Sequence, residues 1–532
     1  MGFKLLICAC ATLQLISGVV DAARILALVP TPSKSHHIWN SALMLGLAKR
    51  GHQITALSPD PPMENLPNLK HMILEGSYEK VQEIFDIEAM IHNSPFSSLR
   101  DVWEWGTENC RHQLGTKAAK DLLLMPSDSF DLIIVEIVFS ECIFMYMHHF
   151  GGGTRIPMIG ITAFGIGPWT DILTGARTLP SVFPLPILPY LSTMNMWERL
   201  YNTIVTGTEW AGMYFYYLPK MQRIAESSYG KPLPSLTEIG SNISLILVNN
   251  HFALIGPQAQ LPGIVEVGAM QCSPPKALPK DINSFLDGAK RGAIFFSLGS
   301  NLRSEELPKE NLQIIIDTFA ALGPEIRVLW KFDPKVEIKG LPSNVLIKKW
   351  FPQEDVLGHP KILAFVSHAG LLSTTEALYH GKPVVAVPFF VDQHTNAKRM
   401  VEMKVAEHVD FLSITKETFT KKILNVINDP SYHHNVRKIS NLIRDQPETP
   451  LDRAIFWVEF ILRQGTGRVE ALRSAGLDLA WYQYFLLDVL AIIFSIVSIT
   501  TLVAAYVICT LYRLCMKSSH KEDSKVKSKK KQ

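Results

Sequence analysis

Residues 350–398 carry an ordered set of side chains that could bind a charged, hydroxyl-rich ligand. Trp350 offers an aromatic face and Gln353 an amide. An apolar run then ends in Ser367-His368-Ala369-Gly370, and a helical pattern follows that carries Ser373, Thr374 and the carboxylate of Glu376. A second apolar run leads to the pair Asp392-Gln393. Aromatic faces stack nucleobases. Backbone N–H groups at a helix N-terminus receive phosphate. A carboxylate accepts ribose hydroxyls, and an Asp-Gln pair holds the hydroxyls of a sugar. In this order the groups match the parts of a nucleoside-diphosphate sugar.

The segment resembles the donor-binding region of the UDP-glycosyltransferases, the family of glucuronosyl- and glucosyl-transferases, and the resemblance runs from about Arg24 to the tail. It implies an α/β chain of the GT-B kind: two facing Rossmann-like domains followed by a C-terminal transmembrane helix. It implies that Trp350, Gln353, His368, Gly370, Ser373, Thr374, Glu376, Asp392 and Gln393 bind the UDP-sugar, with Ser300 in the turn after an earlier strand. Many family members have small or amide residues where this chain has Leu371 and Leu372. Backbone amides and Ser373 or Thr374 would then take the phosphates.

The resemblance also implies a catalytic pair. The family places its catalytic histidine in a Ser-His after the first strand, ahead of the His of an Arg-Gly-His. Here these are Ser35-His36 and Arg50-Gly51-His52. A histidine suits removal of a proton from a hydroxyl near neutral pH. It needs a carboxylate to hold its tautomer. The family uses Asp within a strand-end pattern. This chain reads Val135-Glu136-Ile137-Val138-Phe139 there, so Glu136 is the partner, one methylene longer. Asp131, at the start of the same strand, should be structural, and His37 has no assigned role.

The expected reaction is inverting transfer of a hexose or hexuronic acid from UDP-glucose or UDP-glucuronate to a hydroxyl of a small lipophilic acceptor. The alternative is a catalytically weak member that binds nucleotide sugar or a lipophilic ligand. No Asp-x-Asp pair occurs, the motif that commonly holds a divalent metal on the diphosphate, and no Cys-x-x-Cys is present. Neither metal nor cofactor is therefore expected.

Positioning these groups requires parallel strands. Residues 25–29 form a short apolar run of the kind a strand buried on both faces shows. The polar stretch 30–37 reads as a loop carrying His36. A helical pattern occupies 39–49, with Gly51 where a C-cap belongs. Apolar runs recur at 132–138, 158–162, 245–249, 293–298, 328–330, 362–366 and 384–387, with helical patterns between many of them. The Pro- and aromatic-rich region 172–217 reads as loops and short helices, a pocket wall or a membrane-facing surface. The Pro-rich stretch 267–281 reads as an interdomain linker.

The ends add a membrane. An apolar run at 5–20 before Asp21-Ala22-Ala23 has the pattern of a signal peptide. Residues 489–512 carry no charge and are long enough to cross a bilayer, with Trp481, Tyr482, Tyr484 and Phe485 before them. The tail from Arg513 has one Arg and seven Lys against Glu522 and Asp523, which places it in the cytosol. Lys529 and Lys530 stand as in a dilysine retrieval tail. The expected organisation is a signal peptide (1–22), an acceptor-binding domain (23–270) and a donor-binding domain with a returning helix (271–465). A juxtamembrane segment (466–488), a transmembrane helix (489–512) and a basic tail (513–532) complete it. This describes a single-pass type I protein of the endoplasmic-reticulum membrane with a lumenal body. Its partners are the UDP-sugar, the acceptor and the bilayer, and a homo-oligomer is compatible with them. A net charge of +3, much of it from the tail, argues against nucleic acid. Lumenal Cys110, Cys142 and Cys272 allow at most one internal disulfide, and Asn242-Ile243-Ser244 is the only glycosylation sequon.

Overall fold

The computed structural model describes residues 21–529 except 85–89, 152–154, 177, 301, 303, 305–306, 334–337, 339 and 466, with side chains to residue 517. The expected signal peptide, but for 21–22, and positions 530–532 lie outside the described residues. The chain divides into two compact units, Met1–Arg473 and Ser474–Gln532.

The larger unit holds two parallel sheets. The first is built from β1 (Arg24–Leu28), β2 (Gln53–Ser58), β3 (Leu69–Ile73), β4 (Leu132–Glu136), β5 (Met158–Thr162), β6 (Leu245–Val248) and β7 (Ile264–Glu266). Its order is β3-β2-β1-β4-β5-β6-β7. The second is built from β8 (Gly292–Ser297), β9 (Ile326–Lys331), β10 (Val345–Lys348), β11 (Ile362–Ser367), β12 (Val384–Ala386) and β13 (Ala406–His408). Its order is β10-β9-β8-β11-β12-β13. Apolar layers cover both faces of each sheet, which explains why the central strands are almost continuously hydrophobic. The chain reverses direction across each sheet at one seam, β1/β4 in the first and β8/β11 in the second. Such seams open a crevice at the carboxyl ends of the strands, where doubly wound sheets bind ligands.

Four features tie the unit together. Helix Pro450–Arg463 returns to the first sheet and packs on helix Lys34–Lys49. Gly46 permits the approach, because a Cβ there would stand 2.8 Å from Ile455 Cδ1. Cys110 and Cys142 form a disulfide, and Cys272 is free. Asp131 pairs with Arg24 at the strand starts, away from the seam's carboxyl ends, at 2.7 Å. In the stretch read as a linker, Val267, Ala269 and Met270 are buried, and Lys276 N donates to Asp355 Oδ1 at 2.7 Å.

Two local readings are corrected. Residues 34–37 are not loop: the helix begins at Lys34, so His36 lies in its first turn. Ser33, in extended conformation, is the N-cap, and polar residues at a first turn look the same as a loop in sequence. Region 172–217 is not only loops and short helices. Helix Met196–Gly212 runs into a π-helical turn, Met213–Tyr217, and then into helix Leu218–Tyr229. Asn195 Oδ1 accepts from Trp197 N at 2.9 Å and Glu198 N at 3.0 Å, while Glu198 Oε2 accepts from Asn195 N at 2.8 Å. This capping box starts the helix despite its many aromatics.

The smaller unit contains helix Leu487–Lys529, of which Leu487–Lys517 is long and apolar enough to cross a membrane.

Candidate active site

At the β1/β4 seam the first turn of helix Lys34–Lys49 meets the end of β4. Glu136 is the last residue of β4 and is 0% exposed. Its Oε1 is hydrogen-bonded to His36 Nδ1, and its Oε2 accepts from Asn40 Nδ2 at 3.3 Å. Asn40 stands four residues after His36 on the same helix face. The glutamate is thus held at both oxygens, and the extra methylene is taken up within the pair. His36 is buried and makes an edge-on contact with Phe164, ring centroids 4.9 Å apart. From Phe164 a chain of half-buried rings continues through Trp169 (6.1 Å) and Phe139 (6.5 Å) to Trp105 (6.3 Å).

A buried carboxylate secures the start of that helix. Asp60 is 1% exposed, pairs with Lys34 Nζ and accepts from Tyr78 OH at 2.7 Å. His37 Nδ1 lies 4.0 Å from Asp60 Oδ2, the oxygen that accepts from Tyr78. Burial lowers the His37 pKa to about 4, so the imidazole next to His36 is neutral at physiological pH.

At the β8/β11 seam, His368 and Gly370 follow β11, and helix Leu371–Tyr379 begins with Gly370 as N-cap. Gly299, after β8, has φ +88, and a Cβ there would stand 2.6 Å from His368 Cε1. Gly370 would collide with the same ring if it carried a Cβ. The two glycines make the pocket in which His368 sits. Burial, and then the Lys331 cation, push the His368 pKa down to about 4. His368 Nδ1 and Thr374 Oγ1 are buried with no hydrogen-bond partner among the described residues. Buried polar atoms are rarely left so.

Beside them, Gln353 Nε2 donates to Glu376 Oε2 at 2.7 Å and to Ser373 Oγ at 3.1 Å. Burial holds the Glu376 carboxyl up at about 7, against the Gln353 hydrogen bond, which favours ionisation. Trp350 keeps 53% of its surface exposed. Lys331 Nζ lies 4.9 Å from that ring's centroid and donates to Gly299 O at 2.8 Å. Ser300 is exposed just past β8.

Asp392 and Gln393 stand at the start of helix Gln393–Glu402. Gln393 Oε1 accepts from Phe389 N at 2.8 Å. Asn396 Nδ2 donates to Asp392 Oδ2 at 2.7 Å and to Ala369 O at 3.0 Å. Burial raises the Asp392 pKa to about 6, and His36 is among the groups that oppose the rise. The second sheet's carboxylate thus lies within electrostatic reach of the first sheet's histidine. Thr395 Oγ1 donates to Leu188 O, and to Pro186 O at 3.1 Å, joining the halves beside this point.

The site therefore gathers His36 and Glu136 at one seam and His368, Gly370, Ser373, Thr374, Glu376, Gln353 and Trp350 at the other, with Asp392 bridging. Asn40, Asp60, Phe164, Lys331 and Asn396 escaped the sequence reading. Asn40 and Asn396 were findable, each being four residues after a named site residue, His36 and Asp392. The other three come to the site through strand order, which no local pattern encodes. Among the described residues no cluster of three or more His, Cys, Asp or Glu side chains could hold a metal.

Two Rossmann-like parallel sheets, each with a crevice at its seam, are the architecture of the GT-B fold. The chain matches the family described as "UDP-glucoronosyl and UDP-glucosyl transferase" over residues 25–522 and belongs to it. It is 33% identical to UDP-glucosyltransferase 2 of Dactylopius coccus, over 92% of this chain and 93% of that one. It is 31% identical to human UDP-glucuronosyltransferase 2B15, over 93% of each. Among solved structures, the glycosyltransferase of kitacinnamycin superposes with a TM-score of 0.55 at 19% identity, over 83% of this chain and 100% of that one. The calicheamicin glycosyltransferase CalG4 superposes with a TM-score of 0.53 at 16% identity, over 84% of this chain and 99% of that one. Family membership makes this chain a transferase that moves a sugar from a UDP-sugar to an acceptor.

Proposed function

We propose that His36 is the general base of an inverting transfer to a hydroxyl of a small lipophilic acceptor, and that Glu136 orients it. The observation that carries the reading is the buried His36–Glu136 pair at the carboxyl end of the β1/β4 seam. With Nδ1 held by Glu136, Nε2 takes the acceptor's proton, and the carboxylate stabilises the imidazolium that forms. The oxygen attacks the anomeric carbon directly, so configuration inverts. The row of rings from Phe164 to Trp105 gives an apolar path to His36, which supports a lipophilic acceptor.

On the donor side, Trp350 stacks the base and Glu376 with Gln353 takes the ribose. The start of helix Leu371–Tyr379, with Ser373 and Thr374, holds the diphosphate as it leaves. His368 completes that pocket, and Ser300 closes it from the β8 side. Asp392 and the Gln393 NH₂ hold the sugar. Glucose and glucuronate both fit this assignment. The body would be lumenal, anchored by Leu487–Lys517 in the endoplasmic-reticulum membrane with the basic tail in the cytosol. A glycan on Asn242 would be added before folding, because the folded side chain donates to Glu238 O at 3.1 Å.

The test is a turnover assay of membranes with UDP-glucose or UDP-glucuronate and a phenolic acceptor, on wild type and His36→Ala. Loss of about 10²- to 10⁴-fold in kcat with UDP affinity kept is expected. Turnover within a few-fold of wild type would remove His36 from the mechanism.

A further inference from the structure

The segment that leaves the first sheet ends against the donor side of the second. After β7 it makes two tight turns: Met270 N donates to Val267 O at 3.1 Å, and Cys272 N donates to Ala269 O at 2.9 Å. Ala269 holds φ +67, a left-handed conformation that is uncommon for a residue with a Cβ. From there the chain runs along helix Gln353–Gly358. Ser273 N donates to Glu354 Oε1, and Lys276 N donates to Asp355 Oδ1 at 2.7 Å. Pro275 packs on Gly358, where an added Cβ would stand 2.3 Å from the proline Cβ. These contacts fix residues 273–276 against the helix whose first residue is Gln353.

This course puts Gln271 beside Glu376. Against the burial that raises the Glu376 pKa, the Gln271 carboxamide favours the ionised form, as that of Gln353 does. Burial, then Glu376 and Glu354, push the neighbouring Cys272 thiol up, so both carboxyls lie close to the same stretch. Gln271 Oε1 and Nε2 are both enclosed, and neither completes a well-aligned hydrogen bond among the described residues. Enclosed amides are rarely left so.

A hydrogen-bond donor is what the ribose side of the site otherwise lacks. A hydroxyl gives one hydrogen and accepts at its oxygen, and an ionised carboxylate can only accept. The Gln353 NH₂ has two hydrogens, and both are engaged, one with Glu376 Oε2 and one with Ser373 Oγ. Lys331, a cation that also acts on Glu376, donates to Gly299 O at 2.8 Å. Resting on the reading of Glu376 as the ribose acceptor, we propose that Gln271 is a further donor-binding residue: its NH₂ donates to the oxygen of a ribose hydroxyl whose hydrogen goes to Glu376. The stretch between the sheets is then part of the donor site as well as a connection.

The test is isothermal titration of the full-length protein in detergent with UDP, 2′-deoxy-UDP and 3′-deoxy-UDP. Wild type should hold UDP about tenfold or more tighter than at least one deoxy analogue. Gln271→Met, similar in size but without the amide, should weaken UDP several-fold and leave that analogue unchanged, so the ratio shrinks. A ratio kept at the wild-type value, with all three ligands weakened alike or not at all, would overturn the assignment. Gln271→Glu keeps the shape and sets a second carboxyl beside Glu376. It should move the loss of UDP affinity on acidification to higher pH than in wild type, because a like charge raises the pKa of its neighbour. Should the Met variant fail to fold, the Glu variant decides alone, and a pH profile matching wild type would release Gln271 from the site. A wild type that holds all three ligands equally would instead refute Glu376 as the ribose acceptor, and Gln271 with it.

Discussion

Glu136 and Glu376 are both buried carboxylates, but they sit in different chemistry. Glu136 accepts from His36 and Asn40, and in the proposed mechanism it holds the imidazole. Glu136→Gln should keep the fold and lower kcat by on the order of 10²-fold or more, since an amide cannot stabilise the imidazolium. Glu136→Asp should fall between Gln and wild type, because the shorter side chain draws back from Nδ1 and small misplacements are costly. A Gln variant with full kcat and an unchanged pH–rate profile would release Glu136 from the pair. Glu376 titrates near 7 in the free protein. If its ionised form accepts the ribose hydroxyls, donor binding requires losing that proton. The donor KM should then rise as pH falls through 7, by about tenfold per pH unit below it, and Glu376→Gln should flatten the profile. A wild-type donor KM constant from pH 8 to 6 would refute the assignment.

At the scale of elements, the seams matter more than the strands. Gly299 is the element-level device on the donor side. Its positive φ and its closeness to His368 leave no room for a Cβ. Gly299→Ala should cost about 1 kcal/mol or more in backbone strain and push His368 off the start of helix Leu371–Tyr379. Isothermal titration with UDP should show weakened binding. Unaltered UDP affinity in this variant would mean that His368 has no part in holding the donor. The helix at 196–212 shows the limit of pattern reading at this scale. Its capping box is legible as Asn195-x-x-Glu198, but its apolar stripe names a buried face by rule, and the protein turns that stripe outward.

Over the whole body, buried acids set how stability responds to pH. Burial holds Glu141 at about 7 and Glu209 at about 8, against 4.5 for a free side chain. Between 4.5 and 8 the folded protein keeps protons that the unfolded chain has released. Stability therefore falls as pH rises through that window and levels off above it. Glu209→Gln removes the highest of these titrations, above those of Glu141, Glu376 and Asp392, so its melting temperature should gain on wild type at pH 8.5 and match it at pH 5. Equal gains at both pH values would show that Glu209 is not the group responsible.

What could be read without the fold was local chemistry: strand runs, the glycines and hydroxyls after them, the charge-free span, and the residue types at each strand's carboxyl end. These are legible because backbone hydrogen bonding and burial force a short-range period on the chain. His36 and Glu136 stand a hundred residues apart, and the resemblance could name both but not their distance. Their contact exists because β4 crosses over to pair with β1 rather than with β3. The approach of Asp392 to His36, the cradle of Gly299 and Gly370 around His368, and the outward turn of the 196–212 stripe depend likewise on which elements become neighbours. Neighbours are chosen by long-range packing, which sums many weak contacts over distant segments and leaves no mark in any one stretch of sequence.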